Sequence, residues 1–323
     1  MVSEGSALGI DVGGTKINGI RVARDGTVLR RDAVPTPADD ADRTMAAMIA
    51  LARELVDDDV IAIGVGAAGL VDANDGVLRF APNLAWRELP IARRVTEALG
   101  IPCQVDNDAN AAAWAEWRFG AGRGYRDMLL VAVGTGIGGG IVASRHLFRG
   151  AHGFAADVGH IIVEPGGPLC GCGNHGCWEQ VASGTALRRL GRRAAREHPD
   201  SVLARLAGGD ADAVTGVLVT EAADGGDDVA RGILAEVGRR LGEGIAGLVN
   251  TIDPQLVVVG GGVAGAGHLL LEPARAAFHD TVEGVDHRPA VPIVAAQLGN
   301  DAGAIGAATL ALEELGAGGR TVP

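Results

Sequence analysis

Residues 7–22 read ALGIDVGGTKINGIRV: an apolar strand, a Gly-Gly turn, then a second strand of alternating character. The same grammar returns at 128–143, MLLVAVGTGIGGGIVA, again strand, glycine turn, strand. Aliphatic runs broken by paired glycines predict hairpins, because glycine takes the backbone angles of a tight turn at little steric cost. Asp25 and Gly26 mark a further turn, extending the first hairpin into an antiparallel meander. Two such units roughly 120 residues apart imply a core built twice. Working outward, apolar spacing predicts a helix over 41–57, a buried strand IAIGVGA at 61–67 and a helix over 89–99. A short strand at 101–105 and an alanine-rich helix over 108–119 follow. Farther on, a long helix over 228–250, a strand QLVVVGGGV at 255–263 and a last helix over 301–315 are expected. The whole implies an α/β fold of two lobes. Residues 1–118 with 303–323 would form a small N-terminal lobe, and 119–302 a larger C-terminal one. With no low-complexity linker, the lobes are expected to share an interface and a cleft.

Composition narrows the function. The chain has 323 residues, ample for a real core, but only 3% are aromatic, so that core must be aliphatic. Its 51 glycines suit a sheet protein with many tight turns. A net charge of −12 excludes a general nucleic-acid binder, which needs clustered cations for phosphate. No apolar run is long enough to span a bilayer, and the start MVSEGSALGI lacks a basic-then-apolar signal segment. Lys16 is the single lysine. Arginine-biased coding explains that blandly; the alternative is that this turn wants a compact ammonium.

The stretch 159–179, GHIIVEPGGPLCGCGNHGCWE, puts His160, Cys170, Cys172 and Cys177 ahead of Glu179. One imidazole and three thiolates complete a tetrahedral zinc shell and leave no open position, which points to structural zinc. A disulfide or chance cysteines are the competing readings, and His175 competes with His160 as fourth ligand. Thiols grouped this way fit a reducing cytoplasm, whereas Cys103 reads as a small buried hydrophobe.

Glycine turns offer backbone N–H groups without side-chain obstruction, as a phosphate chain requires. Neither turn here is the G-x-x-x-x-G-K-[ST] loop, so phosphates would be held in hairpins. Asp11, just before the first turn, is placed to hold Mg²⁺ directly or through water. In VDNDANAAAWAEW from Val105, any of Asp106, Asn107 or Asp108 can cap the alanine-rich helix. Alternatively, Asp108 in the first turn stays ionised beside the helix's positive end and accepts a proton from a hydroxyl.

DVGGTK at 11–16, PNLAW at 82–86, DNDANAAAWAE at 106–116, GTGIGGG at 134–140, the cysteine-rich stretch, DPQLVVVGGGV and DAGAIGAA together resemble the ROK family of sugar kinases and sugar-responsive repressors. The resemblance covers nearly the whole chain. It implies an actin-like ATPase (ribonuclease H-like) fold, with ATP, Mg²⁺ and structural Zn²⁺ serving 6-phosphorylation of a hexose. It casts Asp108 as the base, with Asn83, Asn107, Asp157, His160 and Glu179 around the sugar and His160 also on zinc. Gly13, Gly14, Thr15, Lys16, Thr135 and Gly136 would hold phosphates, and Gly261 and Gly262 would lie beneath adenosine. CWEQVASGTAL at 177–187 resembles the glucose-phosphorylating branch, so glucose is the expected substrate. N-acetylmannosamine, fructose or mannose are the other hexoses weighed, and polyphosphate the other donor. A sugar-sensing repressor would need a helix-turn-helix ahead of the first strand near Ala7. A homodimer or homotetramer is implied. Two positions depart from the family pattern: Asp157 stands where a glutamate is usual, and Ala68 where a proline is. The shorter carboxylate would reach a sugar hydroxyl only through water.

Overall fold

A computed structural model describes residues 5–81 and 84–315. The first hairpin is β1 (Ser6–Val12) and β2 (Lys16–Val22), followed by β3 (Val28–Pro35), α1 (Ala41–Leu55) and β4 (Val60–Ala67). Three short strands come next: β5 (Leu70–Asp72), β6 (Val77–Phe80) and β7 (Arg87–Pro90). Then come α2 (Ile91–Leu99), β8 (Cys103–Asn107) and α3 (Asp108–Phe119). The second hairpin is β9 (Met128–Val133) and β10 (Ile137–Ala143), with β11 (His146–Leu147) beyond it. Helices α4 (Glu179–Ala182), α5 (Gly184–Glu197), α6 (Val202–Leu206), α7 (Gly216–Asp224) and α8 (Asp228–Ile252) precede β12 (Leu256–Gly260). The described chain ends with α9 (His268–Thr281), β13 (Ile293–Ala295) and α10 (Ala302–Glu314). None of these helices is long and apolar enough to cross a membrane.

The duplication read from the two glycine turns is real. One five-stranded sheet runs β3–β2–β1–β4–β8 and the other β11–β10–β9–β12–β13. In the first, β1 pairs antiparallel with β2 and parallel with β4. In the second, β10 pairs antiparallel with β11 and β12 parallel with β13. The expected strand over 255–263 stops at Gly260, because Gly261 has φ 83° and turns the chain into a short 3₁₀ segment. The expected helix over 89–99 starts at Ile91, since Arg87–Pro90 is strand.

The chain divides into two compact units: Met1–Leu130, Gly139–Ala156 and Gln297–Pro323 in one, Val131–Gly138 and Asp157–Ala296 in the other. In the first unit, β1 shows why its alternation matters. Leu8, Ile10 and Val12 join Met45, Met48, Leu51, Ile91 and Val95 on one face, while Ala7 joins Ala304, Ile305 and Ala308 of α10 on the other. Helix α10 packs so closely that two positions opposite it, Gly9 and Gly64, have no room for a side chain. A Cβ on Gly9 or Gly64 would fall on the carbonyls of Ala304 or Ala307, and one on Gly306 on the Ala111 carbonyl of α3.

This closeness makes a stability prediction. Gly306→Ala must push backbone apart three residues beyond Asp108, an overpacking worth about 1–3 kcal/mol. Gly247→Ala, at an exposed position of α8 with nothing within 4 Å of the new methyl, should stabilise by about 0.5–1 kcal/mol. Denaturant melts of the two variants should therefore shift in opposite directions.

Candidate active site and metal centre

Strand β8 lies parallel to β4, with Asn107 opposite Ala67, and ends where α3 begins. Of the three residues able to cap that helix, Asn107 does so. Its Oδ1 accepts from the N–H groups of Ala109 (2.9 Å) and Asn110 (3.2 Å), a cap worth about 1 kcal/mol. The Asn107 Nδ2 donates to the Gly69 carbonyl at 3.1 Å, fixing the amide's orientation. Asp106 is an anchor: 3% exposed, it accepts from Arg149 Nε at 2.6 Å, from the Asn107 N–H at 2.8 Å and from Asn110 Nδ2 at 3.1 Å. Arg149 also reaches Glu314 at 2.7 Å. With anchoring and capping assigned to its neighbours, Asp108 begins α3, where the positive end of the helix favours an anion. Its Oδ1 accepts from the Ala109 N–H at 2.9 Å. Glu116, in the same motif, is wholly structural: it is 0% exposed and accepts the N–H groups of Ala121, Gln297 and Leu298.

The first glycine turn is strapped from behind. The Gly13 N–H donates to the Lys16 carbonyl at 3.0 Å, while Thr36 donates its hydroxyl to the Gly13 carbonyl (2.8 Å) and its N–H to that of Thr15 (3.0 Å). Asp11, below the turn, faces Gly303 at the start of α10, where a Cβ would lie 2.9 Å from its carboxyl. Burial pushes the Asp11 carboxyl up to about 7, Asp108 adds to the rise and Lys16 opposes it. Asp11, Asp108 and Lys16 therefore share one electrostatic neighbourhood. A carboxylate oxygen beside a second carboxylate is hard-donor chemistry that fits Mg²⁺. Asn83 lies outside the described residues.

In the second unit the structure gathers Asp157, His160, Glu179 and the turn at Thr135–Gly136. Glu179 opens α4 and is the hub. Its Oε2 fills the space where a Gly136 side chain would go, and its Oε1 accepts from Cys170 Sγ at 3.0 Å and Gln180 Nε2 at 3.1 Å. Asp157 Oδ1 is 4.0 Å from His160 Nε2. Burial raises the Asp157 carboxyl's affinity for a proton, against the pull of His160 and with the help of Glu179. Gly261 backs onto the end of β9: a Cβ there would sit 2.5 Å from the Val133 carbonyl, so Gly261 abuts the strand leading into the 134–136 turn, while Gly262 has open space beside it.

His160, Cys170, Cys172 and Cys177 bring their ligand atoms within 4.8 Å of one another. The set fits zinc closely. Tetrahedral bonds of about 2.3 Å to sulfur and 2.0–2.1 Å to nitrogen place ligand atoms about 3.5–3.8 Å apart. Cys172 and Cys177 sulfurs are 3.6 Å apart, and Cys170 Sγ lies 3.6 Å from His160 Nδ1. His175, the competing ligand, is exposed and directs its Nδ1 to the Gly167 carbonyl at 3.0 Å instead. All four cysteines are thiols, so the disulfide alternative falls. The loop is pinned beyond the ligands by Trp178, 0% exposed, whose Nε1 donates to the Arg240 carbonyl of α8 at 2.9 Å and whose ring occupies the space beside Gly244.

Sequence reasoning missed Arg149, for which no local signal exists, and Ser183 and Thr185. The last two had a signal: a serine just ahead of α5, the usual place of an N-cap.

The ROK family profile matches residues 7–314. A glucokinase of Streptomyces coelicolor is 42% identical over 311 residues, covering 96% of this chain and 98% of that protein. An N-acetylmannosamine kinase of Escherichia fergusonii is 34% identical over 320 residues, covering 96% and 99%. Among solved structures, a ROK family glucokinase from Streptomyces griseus in complex with glucose and AMPPNP superposes with a TM-score of 0.89 at 44% identity, covering 96% of this chain and all of that one.

Proposed function

This chain belongs to the ROK family, with its actin-like ATPase fold, and we propose that it transfers the γ-phosphoryl group of ATP to the 6-hydroxyl of glucose. The observation that carries this reading is the division of labour at the start of α3. Asp106 anchors and Asn107 caps, so the Asp108 carboxylate can serve as base. In the proposed step, the sugar oxygen bonds to the γ-phosphorus as the bond to the β–γ bridging oxygen breaks, and the hydroxyl proton passes to Asp108. Phosphoryl transfer asks a protein mainly for alignment and charge balance, so one well-aimed carboxylate suffices.

The turns at Gly13–Lys16 and Thr135–Gly136 are proposed to hold phosphates through backbone N–H groups, with Lys16 adding its charge. Asp11 would hold Mg²⁺, which supplies charge neutralisation on the phosphates when bound. Gly261 and Gly262 are proposed to lie beneath the adenosine. Asn83, Asn107, Asp157, His160 and Glu179 are the proposed partners of the sugar hydroxyls. A site that pairs each hydroxyl rejects an epimer that leaves a buried polar group unmatched. Zinc on His160 and the three thiolates would order the loop that carries His160 and Glu179. Thiolates held this way suit a reducing cytoplasm, and we take the working form to be a homodimer or homotetramer.

Glucose is favoured over other hexoses by the identity to glucokinases, which exceeds that to N-acetylmannosamine kinases. A coupled assay across glucose, mannose, fructose and N-acetylmannosamine, with ATP and then polyphosphate as donor, tests the proposal. Highest kcat/KM with glucose and ATP is expected. Absence of transfer to every hexose would refute the kinase reading, and a preference for another sugar would refute the glucose assignment.

A further inference from the structure

The segment just past the zinc loop grips the second glycine turn from behind. Three groups of residues 183–185 point at one carbonyl: the Thr135 oxygen lies 2.9 Å from Ser183 Oγ, 2.9 Å from Thr185 Oγ1 and 3.1 Å from the Thr185 N–H. The neighbouring Gly134 carbonyl accepts from the Gly184 N–H at 2.9 Å. Ser183 has a single hydroxyl hydrogen and shares it, since its Oγ also lies 2.5 Å from the Glu179 carbonyl. Among the described residues the Thr185 hydroxyl has no such second acceptor, and it is the firmer tie.

Peptide planarity turns this grip into a direction. In a trans peptide the C=O and the N–H of the same unit point opposite ways. Pinning the Gly134 carbonyl toward residues 183–185 therefore turns the Thr135 N–H away from them, and pinning the Thr135 carbonyl does the same for the Gly136 N–H. Two successive N–H groups are thus presented together on the far side of the turn, the arrangement that binds an anion. A glycine turn left to itself samples many other orientations, because glycine has little conformational preference. Room for the grip is also tight: a Cβ on Gly184 would lie 2.8 Å from the Gly134 carbonyl oxygen, so that position must stay bare for the contact to form.

We propose that Gly184 and Thr185, assisted by Ser183, are positioning residues that set the Thr135 and Gly136 N–H groups for the phosphates of the nucleotide. This rests on the kinase reading above. It adds that phosphate affinity at the second turn is set by the segment that follows the last zinc ligand.

Titration calorimetry with ATP, adenosine and glucose tests it on Thr185→Val, Thr185→Ser and Gly184→Ala, with zinc content checked in each. Loss of one hydrogen bond, about 1–1.5 kcal/mol, is about a fivefold to tenfold change in affinity. ATP binding should weaken by that factor in Thr185→Val and Gly184→Ala, with adenosine and glucose within twofold of the parent. Thr185→Ser, which keeps the hydroxyl, should restore ATP binding. Parent-like ATP affinity in folded Thr185→Val and Gly184→Ala, or equal weakening for ATP and adenosine, would overturn the proposal and leave the kinase reading standing. A parent protein that binds no ATP would overturn both.

Discussion

Replacing Asp108 by asparagine is expected to lower kcat by about 10²–10⁴ while glucose still binds with close to parental affinity. The substitution preserves shape. The new amide oxygen can still accept from the Ala109 N–H, now 2.9 Å from Asp108 Oδ1, and the helix keeps its cap because that belongs to Asn107. What disappears is a group able to take the hydroxyl proton. The side chain also loses its charge, so the Asp11 carboxyl is relieved of the repulsion that adds to its rise toward 7, though burial still holds it up. Glucose affinity and kcat should therefore separate cleanly. Near-parental kcat in Asp108→Asn would remove Asp108 from the role of base. A parallel loss of glucose affinity and folding stability would show that its role is architectural. Asn107→Ala is the useful companion, since it removes the cap and leaves the carboxylate: a stability loss of about 1 kcal/mol is expected there.

Much of this arrangement was legible in the sequence because the signals are local. The β1–β2 and β9–β10 hairpins announce themselves by glycine between alternating aliphatic residues, and α3 by its run of alanines. The candidate metal set is legible because its three thiols are close in sequence. What stayed hidden depends on distant partners. Which of Asp106 and Asn107 anchors and which caps is decided by Arg149 and, behind it, Glu314, 43 residues from Asp106 and 165 from Arg149 respectively. The sheet of β5, β6 and β7 is not legible because its strands are only three or four residues long, too short to show a period. They cohere through Arg79, paired with Asp72 at 3.0 Å and Asp75 at 2.5 Å, and through Arg87 stacked 4.4 Å over Phe80. Helix α5 is hidden for a different reason. Its arginines mask the apolar stripe of Ala186, Leu187, Gly191, Ala194 and Ala195, which only neighbouring helices reveal as buried.

Cys172→Ser should strip the protein of zinc and loosen the loop that carries Glu179. Cys172 is the informative ligand to change because it is exposed, whereas Cys170 and Cys177 are buried and their loss would confuse ligation with packing. A serine hydroxyl is a far poorer zinc donor than a thiolate, and three remaining ligands no longer close the tetrahedron. Without a cation, burial pushes the Cys170 thiol up to about 12, so the thiol stays protonated near neutrality. Ligation needs the thiolate, so zinc binding must offset this deprotonation, and a site short of one thiolate donor has less binding energy to do so. Zinc near one ion per chain in the parent should fall to a small fraction after dialysis against a chelator, read by elemental analysis. The mechanical consequence follows the chain. Cys177 is two residues from Glu179, whose carboxylate touches both Cys170 and the space beside Gly136. Release of the loop should therefore raise the KM for glucose by about 10–100-fold, the range seen when groups supporting a metal's ligands are lost. It should also lower the thermal midpoint. Full zinc retention in Cys172→Ser, abolished by adding His175→Ala, would show that the ligand set was misassigned and that His175 belongs to it.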